Sequence, residues 1–115
     1  MKTYDGACHC GGIQFQVETN LDDPARCNCS FCTKRGTLLQ KVSAEKFVLI
    51  AGEESLSQYG ARSFSDHFFC KHCGVHTFTK SSRNGEDAVV INLACLQGLD
   101  LSSLQPRVFD GANLL

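Results

Sequence analysis

Seven of the eight cysteines in this 115-residue chain fall into three short groups, and that spacing constrains the chain more than any other feature. Cys8 and Cys10 form one pair, Cys27, Cys29 and Cys32 a triplet, and Cys70 and Cys73 a second pair, while Cys95 stands alone. Groups of this kind serve either disulfides or metal. The N-terminal Met1-Lys2-Thr3-Tyr4-Asp5-Gly6 lacks the apolar run of a signal peptide, which leads us to expect a cytoplasmic protein. Thiols in that compartment stay reduced, so the clusters favour metal. Zinc with four protein ligands is a structural rivet, whereas zinc with three and one open position is reactive.

The length fits one domain, residues 1–115, with a modest core that a metal crosslink would help to stabilise. Eleven basic and twelve acidic residues leave a formal net charge of −1. That balance offers no footprint for a polyanion, so nucleic acid is not an expected partner. No stretch approaches the roughly 18 apolar residues of a membrane span, so no membrane partner is expected.

Along the chain the dominant period is that of strands. Tyr4 to Cys10 leads into Gly11-Gly12, and Ile13-Gln14-Phe15-Gln16-Val17 alternates apolar and polar. Together they predict a β-hairpin, with Cys8 and Cys10 beside its turn and on one strand face. Asn20 to Pro24 is a loop, Lys34-Arg35-Gly36 a polar turn, and Thr37 to Gln40 a short strand. Ser43 to Lys46 suits one capped helical turn, and Phe47 to Ile50 a strand ended by Gly52. Further strands are expected over Leu56–Gly60, Ser63–Phe69, Val75–Thr79 and Arg107–Phe109. Ala88–Leu93 has the continuous apolar run of a central strand. Ser81 to Gly85 is an exposed turn, and Leu101 to Leu104 another single helical turn. The expected fold is mostly β, with metal sites at the turns.

Cys70-Lys71-His72-Cys73-Gly74 is a zinc-knuckle pattern, in which the turn aims backbone amides at sulfur and glycine supplies the bend. Joining Cys70 and Cys73 with Cys8 and Cys10 gives a closed four-sulfur site linking the first hairpin to the knuckle. The triplet is less determined. Cys95, His67, His72 or His76 can complete a closed site, and without one of them the position stays open to a thiolate or water whose pKa the metal lowers. Arg26, Lys34 and Arg35 flank the triplet and suit an anionic substrate, although each also reads as solvated surface charge. His9 should point away from the metal, His72 should be a solvent-facing spacer, and Phe31 either packs in the core or lines a substrate mouth. Cys95 is a buried apolar residue, a fourth ligand, or a thiol facing the pocket.

Cys8-His9-Cys10-Gly11-Gly12, then Cys27-Asn28-Cys29-Ser30-Phe31-Cys32, then Phe69-Cys70-Lys71-His72-Cys73-Gly74-Val75 resemble the glutathione-dependent formaldehyde-activating enzyme family, whose domain is shared with centromere protein V. The likeness extends through Phe47 to Gly52, Tyr59 and Ile91 to Leu96, and so covers nearly the whole chain. The C-terminal Asp110-Gly111-Ala112-Asn113-Leu114-Leu115 resembles the family's ending without the tryptophan often found there.

The resemblance implies a β-tent fold of small antiparallel sheets with zinc-ribbon-like knuckles. It implies two zinc ions per chain: a structural one on Cys8, Cys10, Cys70 and Cys73, and a substrate-accessible one on Cys27, Cys29 and Cys32. The activity it implies is that of a carbon–sulfur lyase, the reversible addition of glutathione to formaldehyde, with the triplet as the reacting centre and glutathione as the small-thiol partner. Lys34, Arg35 and Cys95 are the residues expected near substrate. The competing reading is a non-catalytic, zinc-supported protein-binding module, and a third is metal storage or redox sensing by the triplet.

Overall fold

A computed structural model describes the backbone of residues 1–115 and every side chain except that of Ala61. Ten strands build two sheets. Strands β1 (Lys2–Ala7) and β2 (Gln14–Thr19) form the expected antiparallel hairpin, and β5 (Phe47–Ala51) adds to β2 to complete a three-stranded sheet. The second sheet has seven strands, in the order β10 (Arg107–Phe109), β3 (Ala25–Cys27), β4 (Leu39–Ser43), β9 (Glu86–Asn92), β8 (His76–Arg83), β7 (Ser65–Cys70) and β6 (Leu56–Arg62). The mostly β architecture expected from the sequence is thus present, and β9 is central, between β4 and β8. One pairing departs from the antiparallel rule: β10 runs parallel to β3, with Phe109 opposite Cys27.

The alternation in β2 decides which face is covered. Phe15, Val17 and Thr19 are buried while Gln14 and Gln16 face solvent, as period-2 patterning requires. Phe78 on β8 is the hub between the sheets. Its ring lies 4.5 Å from Phe47, 5.1 Å from Phe68 and 6.3 Å from Phe15, centroid to centroid, so both sheets contribute aromatics to one cluster. Ile91, Leu93 and Val89 close the core from β9 and the turn that follows it.

Some local elements differ from the expectation. Lys34 and Arg35 end a short helix, α1 (Ser30–Arg35), capped by Gly36 at a φ of 69°, instead of forming a turn. Six residues with a single buried position, Cys32, show no amphipathic period, so pattern alone does not reveal the helix. β8 runs on through Arg83, and the turn is tightened to Asn84-Gly85, both at positive φ. The last residues form α2 (Gly111–Leu114).

The packing around Phe78 makes its removal costly. Phe78→Ala should lower unfolding stability by roughly 3–5 kcal/mol, read as a lower denaturant midpoint, because neither sheet can collapse into the gap alone. A loss below about 1 kcal/mol would show that the sheets do not share this core.

Candidate metal centre and adjoining cavities

Two sulfur clusters form, and they are those that the spacing grouped. Within each of the sets Cys8, Cys10, Cys70, Cys73 and Cys27, Cys29, Cys32, all sulfurs lie within 4.8 Å of one another. Tetrahedral zinc, with Zn–S near ~2.3 Å, separates its sulfurs by ~3.8 Å. Cys10 Sγ stands 3.6 Å from both Cys8 Sγ and Cys70 Sγ, so the donor set fits such an ion. Both clusters can therefore hold metal.

The first cluster links the two sheets, because Cys8 and Cys10 follow β1, Cys70 ends β7 and Cys73 lies in the turn between β7 and β8. Cys8 and Cys10 converge through a turn, not through a shared strand face, since β1 stops at Ala7. Gly11 N–H donates to Cys8 O at 3.1 Å, and Ile13 N–H donates to Cys8 Sγ at 3.3 Å. The knuckle repeats the device: His72 N–H and Cys73 N–H aim at Cys70 Sγ at 3.4 and 3.5 Å, and Gly74 turns at a φ of 77°. Amides donated to sulfur favour the thiolate, and those near Cys73, with Val75 first, lower its pKa to about 6. His9 and His72 are exposed spacers.

The triplet is built from three kinds of backbone. Cys27 ends β3, Cys29 caps α1 with its own sulfur accepting Cys32 N–H at 3.4 Å, and Cys32 lies in the first turn. Burial opposes ionisation of Cys29, but Cys32 N–H and the neighbouring sulfurs win and lower its pKa to about 7. Burial dominates at Cys32 and raises its thiol to about 12 against the pull of Arg35.

The C-terminal segment walls one side. Asn28 Nδ2 donates to Asp110 Oδ1 at 3.1 Å, Ala112 N–H donates to Asn28 Oδ1 at 2.9 Å, and Gly111 is buried against the sulfurs. A Cβ at Gly111 would stand 2.5 Å from Cys27 Sγ, so only glycine permits this approach.

No histidine, further cysteine or carboxylate joins the triplet among the described residues. The structure places the four candidates elsewhere. Cys95 is buried in the core, its Sγ–H donating to His76 O at 3.5 Å, and it lines neither cavity described below. Burial pushes its thiol up to about 12, so it behaves as a small apolar side chain. His72 is exposed, and His67 and His76 bond to other partners.

Arg35 is the cation that reaches the triplet. Its Nη2 donates to Cys32 Sγ at 3.4 Å, its Nε donates to Thr37 Oγ1 at 3.0 Å, and its guanidinium lies 4.7 Å over the Phe31 ring. Lys34, one residue earlier, projects into solvent and lines neither cavity. Arg26 is also exposed, its Nη1 donating to Gly36 O at 3.3 Å.

Behind Arg35 runs a hydrogen-bonded row that the sequence did not suggest. Arg35 Nη1 lies 3.3 Å from His67 Nδ1, which lies 2.8 Å from Thr79 Oγ1, which lies 2.9 Å from His76 Nε2. Arginine only donates, so His67 Nδ1 must accept and its hydrogen sits on Nε2. The 2.8 Å contact then needs the Thr79 hydroxyl hydrogen, which leaves Thr79 to accept from His76 Nε2–H. His76 Nδ1 is buried, with no side-chain hydrogen-bond partner among the described residues. Burial first, then Arg35, holds both rings neutral, with pKa values lowered to about 4 for His67 and about 3 for His76.

Register explains the row. His67 and Thr79 face each other across β7 and β8. Phe68 pairs Phe78 while Phe69 pairs His76, so Thr77 is an extra residue. That bulge puts His76 on the face of Thr79, three residues on, where a regular strand would oppose them.

Two cavities meet at Arg35 and His67, which line both. The first, about 360 Å³, includes Cys27 and Cys32 with Arg35, Lys41, Arg83, Arg107, Asp23 and Glu86. The second, about 490 Å³, is walled by Phe31, Tyr59, Phe69, Val75 and His76. Phe31 lines this cavity, packs half-buried against Cys29, Cys32 and Leu39, and carries the guanidinium of Arg35 on its ring.

A model of the glutathione-dependent formaldehyde-activating enzyme family matches residues 3–110. The chain belongs to that family. An uncharacterised lyase of Schizosaccharomyces pombe is 25% identical over 109 residues, covering 94% of this chain and 79% of the relative. The crystal structure of a Rhodobacter sphaeroides protein has a TM-score of 0.82 at 29% identity, covering 91% of this chain and 99% of that one. Family membership therefore extends over both sulfur clusters and the sheets that carry them.

Two outcomes follow from this geometry. Gly111→Ala should displace Cys27 or α2 and lower the metal content relative to the unsubstituted protein, since the triplet's sulfurs are disturbed while the four-sulfur cluster is not. Undiminished metal content would show that the C-terminal wall does not shape the triplet. By ¹⁵N NMR, His67 and His76 should remain neutral Nε2–H tautomers from pH 7 to pH 6, because their pKa values of about 4 and about 3 lie well below that window. A predominantly imidazolium signal from either ring at pH 6 would contradict the row.

Proposed function

We propose that this protein is a zinc-dependent carbon–sulfur lyase acting on glutathione or a related small thiol and its carbonyl adduct. The observation that carries this reading is a triplet of sulfurs with no fourth side-chain donor among the described residues, lining a cavity rich in cations. Cys8, Cys10, Cys70 and Cys73 would hold a structural zinc with four ligands. Cys27, Cys29 and Cys32 would hold a second with a position left for substrate. Bound there, zinc supplies a Lewis-acidic centre that lowers the pKa of a thiol at neutral pH.

The chain's own residues provide recognition. Four cations, Arg35, Lys41, Arg83 and Arg107, line the triplet's cavity against two carboxylates, Asp23 and Glu86. Lys41 contacts Glu86 at 3.2 Å and Arg107 contacts Asp23 at 2.6 Å, which leaves Arg35 and Arg83 free of a carboxylate partner among the described residues. The surplus suits an anion such as glutathione, and about 360 Å³ is within the range of small-molecule sites. Arg35, half-buried between Phe31 and Cys32, meets the sulfur end of such a ligand. Membership of a formaldehyde-activating family, and a relative named a lyase, support S-hydroxymethylglutathione-type chemistry.

Cys29→Ser tests the reading cleanly, because serine is itself a good helix cap and α1 should persist. Zinc content should fall from two ions to one per chain, and glutathione affinity by calorimetry should weaken at least about tenfold, a loss of about 1.4 kcal/mol. Equal glutathione affinity in the two proteins would reject the lyase assignment.

A further inference from the structure

We propose that His67 is a catalytic hydrogen-bond donor, its Nε2–H meeting the carbonyl oxygen as a thiol sulfur adds to the carbonyl carbon. The role rests on the lyase reading above and names a group in that reaction which none of the cysteine spacings indicates.

Three observations converge on it. The tautomer is dictated from outside the ring: Arg35 Nη1 and the Thr79 hydroxyl both donate to Nδ1, at 3.3 and 2.8 Å, so the ring hydrogen sits on Nε2. That hydrogen has no protein acceptor among the described residues. It is also not sealed in the interior, since the one buried polar side-chain atom without a partner among those residues is His76 Nδ1. Finally, His67 lines both cavities, sharing the first with Cys27, Cys32 and Arg35, and its ring packs 4.4 Å from Phe31, centroid to centroid, between two triplet cysteines.

The chemistry needs such a donor. As sulfur adds, the S–C bond forms and the C–O π pair moves onto oxygen. The proton given up by the thiol then returns to that oxygen through solvent. Thiol and formaldehyde thus become an S-hydroxymethyl adduct, with every atom retained and nothing oxidised or reduced. Negative charge grows on oxygen in the transition state, and a preorganised N–H aimed at it lowers the barrier. A neutral imidazole can do this without surrendering its proton. Arg35 beside it disfavours an imidazolium and adds positive potential of its own.

Thr79 and His76 are positioning residues. Thr79 holds the lone-pair edge of His67, and His76 Nε2–H holds Thr79.

The test compares zinc-loaded wild type, His67→Phe and His67→Gln in the exchange of ¹³C-formaldehyde with glutathione, followed by NMR, together with zinc content and glutathione affinity. Phenylalanine keeps the stack on Phe31 and removes the donor, whereas glutamine loses the stack and returns an N–H near the same place. We expect kcat to fall roughly 10²-fold in His67→Phe, with glutathione affinity and zinc content unchanged, and His67→Gln to recover most of the loss. A purely packing role predicts the opposite order. An unchanged rate in His67→Phe, or glutamine no better than phenylalanine, overturns the role of His67 and leaves the lyase reading standing. If wild type itself does not accelerate exchange, the lyase reading fails and this inference fails with it.

Discussion

Four sulfurs drawn from two separate turns converge at the point where the two sheets approach one another, and much of the architecture is arranged to bring them there. Cys8 and Cys10 are carried by the hairpin of the three-stranded sheet, Cys70 and Cys73 by the β7–β8 turn of the seven-stranded sheet. Each turn is bent by a glycine at positive φ and stiffened by amides that donate to sulfur. Phe78 and its aromatic neighbours hold the same two sheets together on apolar grounds. A domain of this size buries a limited core, so a crosslink at one end and an aromatic hub between the sheets complement each other.

The triplet is a different kind of object. Its sulfurs come from a strand end, a helix cap and a helix turn within six residues, and its walls come from far away in the chain. The β10 strand lies parallel to β3 and delivers Gly111 against Cys27, while β7 and β8 deliver His67 and Thr79 behind Arg35. Arg35 organises this side because it can only donate: its hydrogens set the tautomer of His67, and through Thr79 that of His76. One half-buried cation thereby determines where the acceptors and donors of the cavity fall.

The two clusters differ in what surrounds them. The first has four donors and joins the sheets. The second has three, faces a cavity with surplus positive charge, and adjoins an aromatic one. Surface ion pairs such as Lys41–Glu86 and Lys46–Glu18 contribute little to stability at their exposure, and the first matters more for the charge it neutralises at the cavity rim.

What the sequence determined alone was whatever short-range pattern controls. Period-2 alternation produced the first hairpin, the apolar run 88–93 marked the central strand, and cysteine spacing grouped seven sulfurs into the two sets that converge in space. Turn chemistry needs only neighbouring residues, so the knuckles were legible too. Helix α1 was not, since six residues with one buried position, Cys32, carry no period, and neither was the absence of a fourth donor at the triplet. Arg35 was singled out beside Lys34, but only packing separated the one that turns inward from the one that stays in solvent. His67, Thr79 and His76 meet because a single extra residue, Thr77, shifts the register of β8, and Cys95 lies in the core because the turn after β9, Leu93–Cys95, tucks it inward together with Leu93. Such contacts depend on how strands far apart in the chain align, which periodicity within any one strand does not encode.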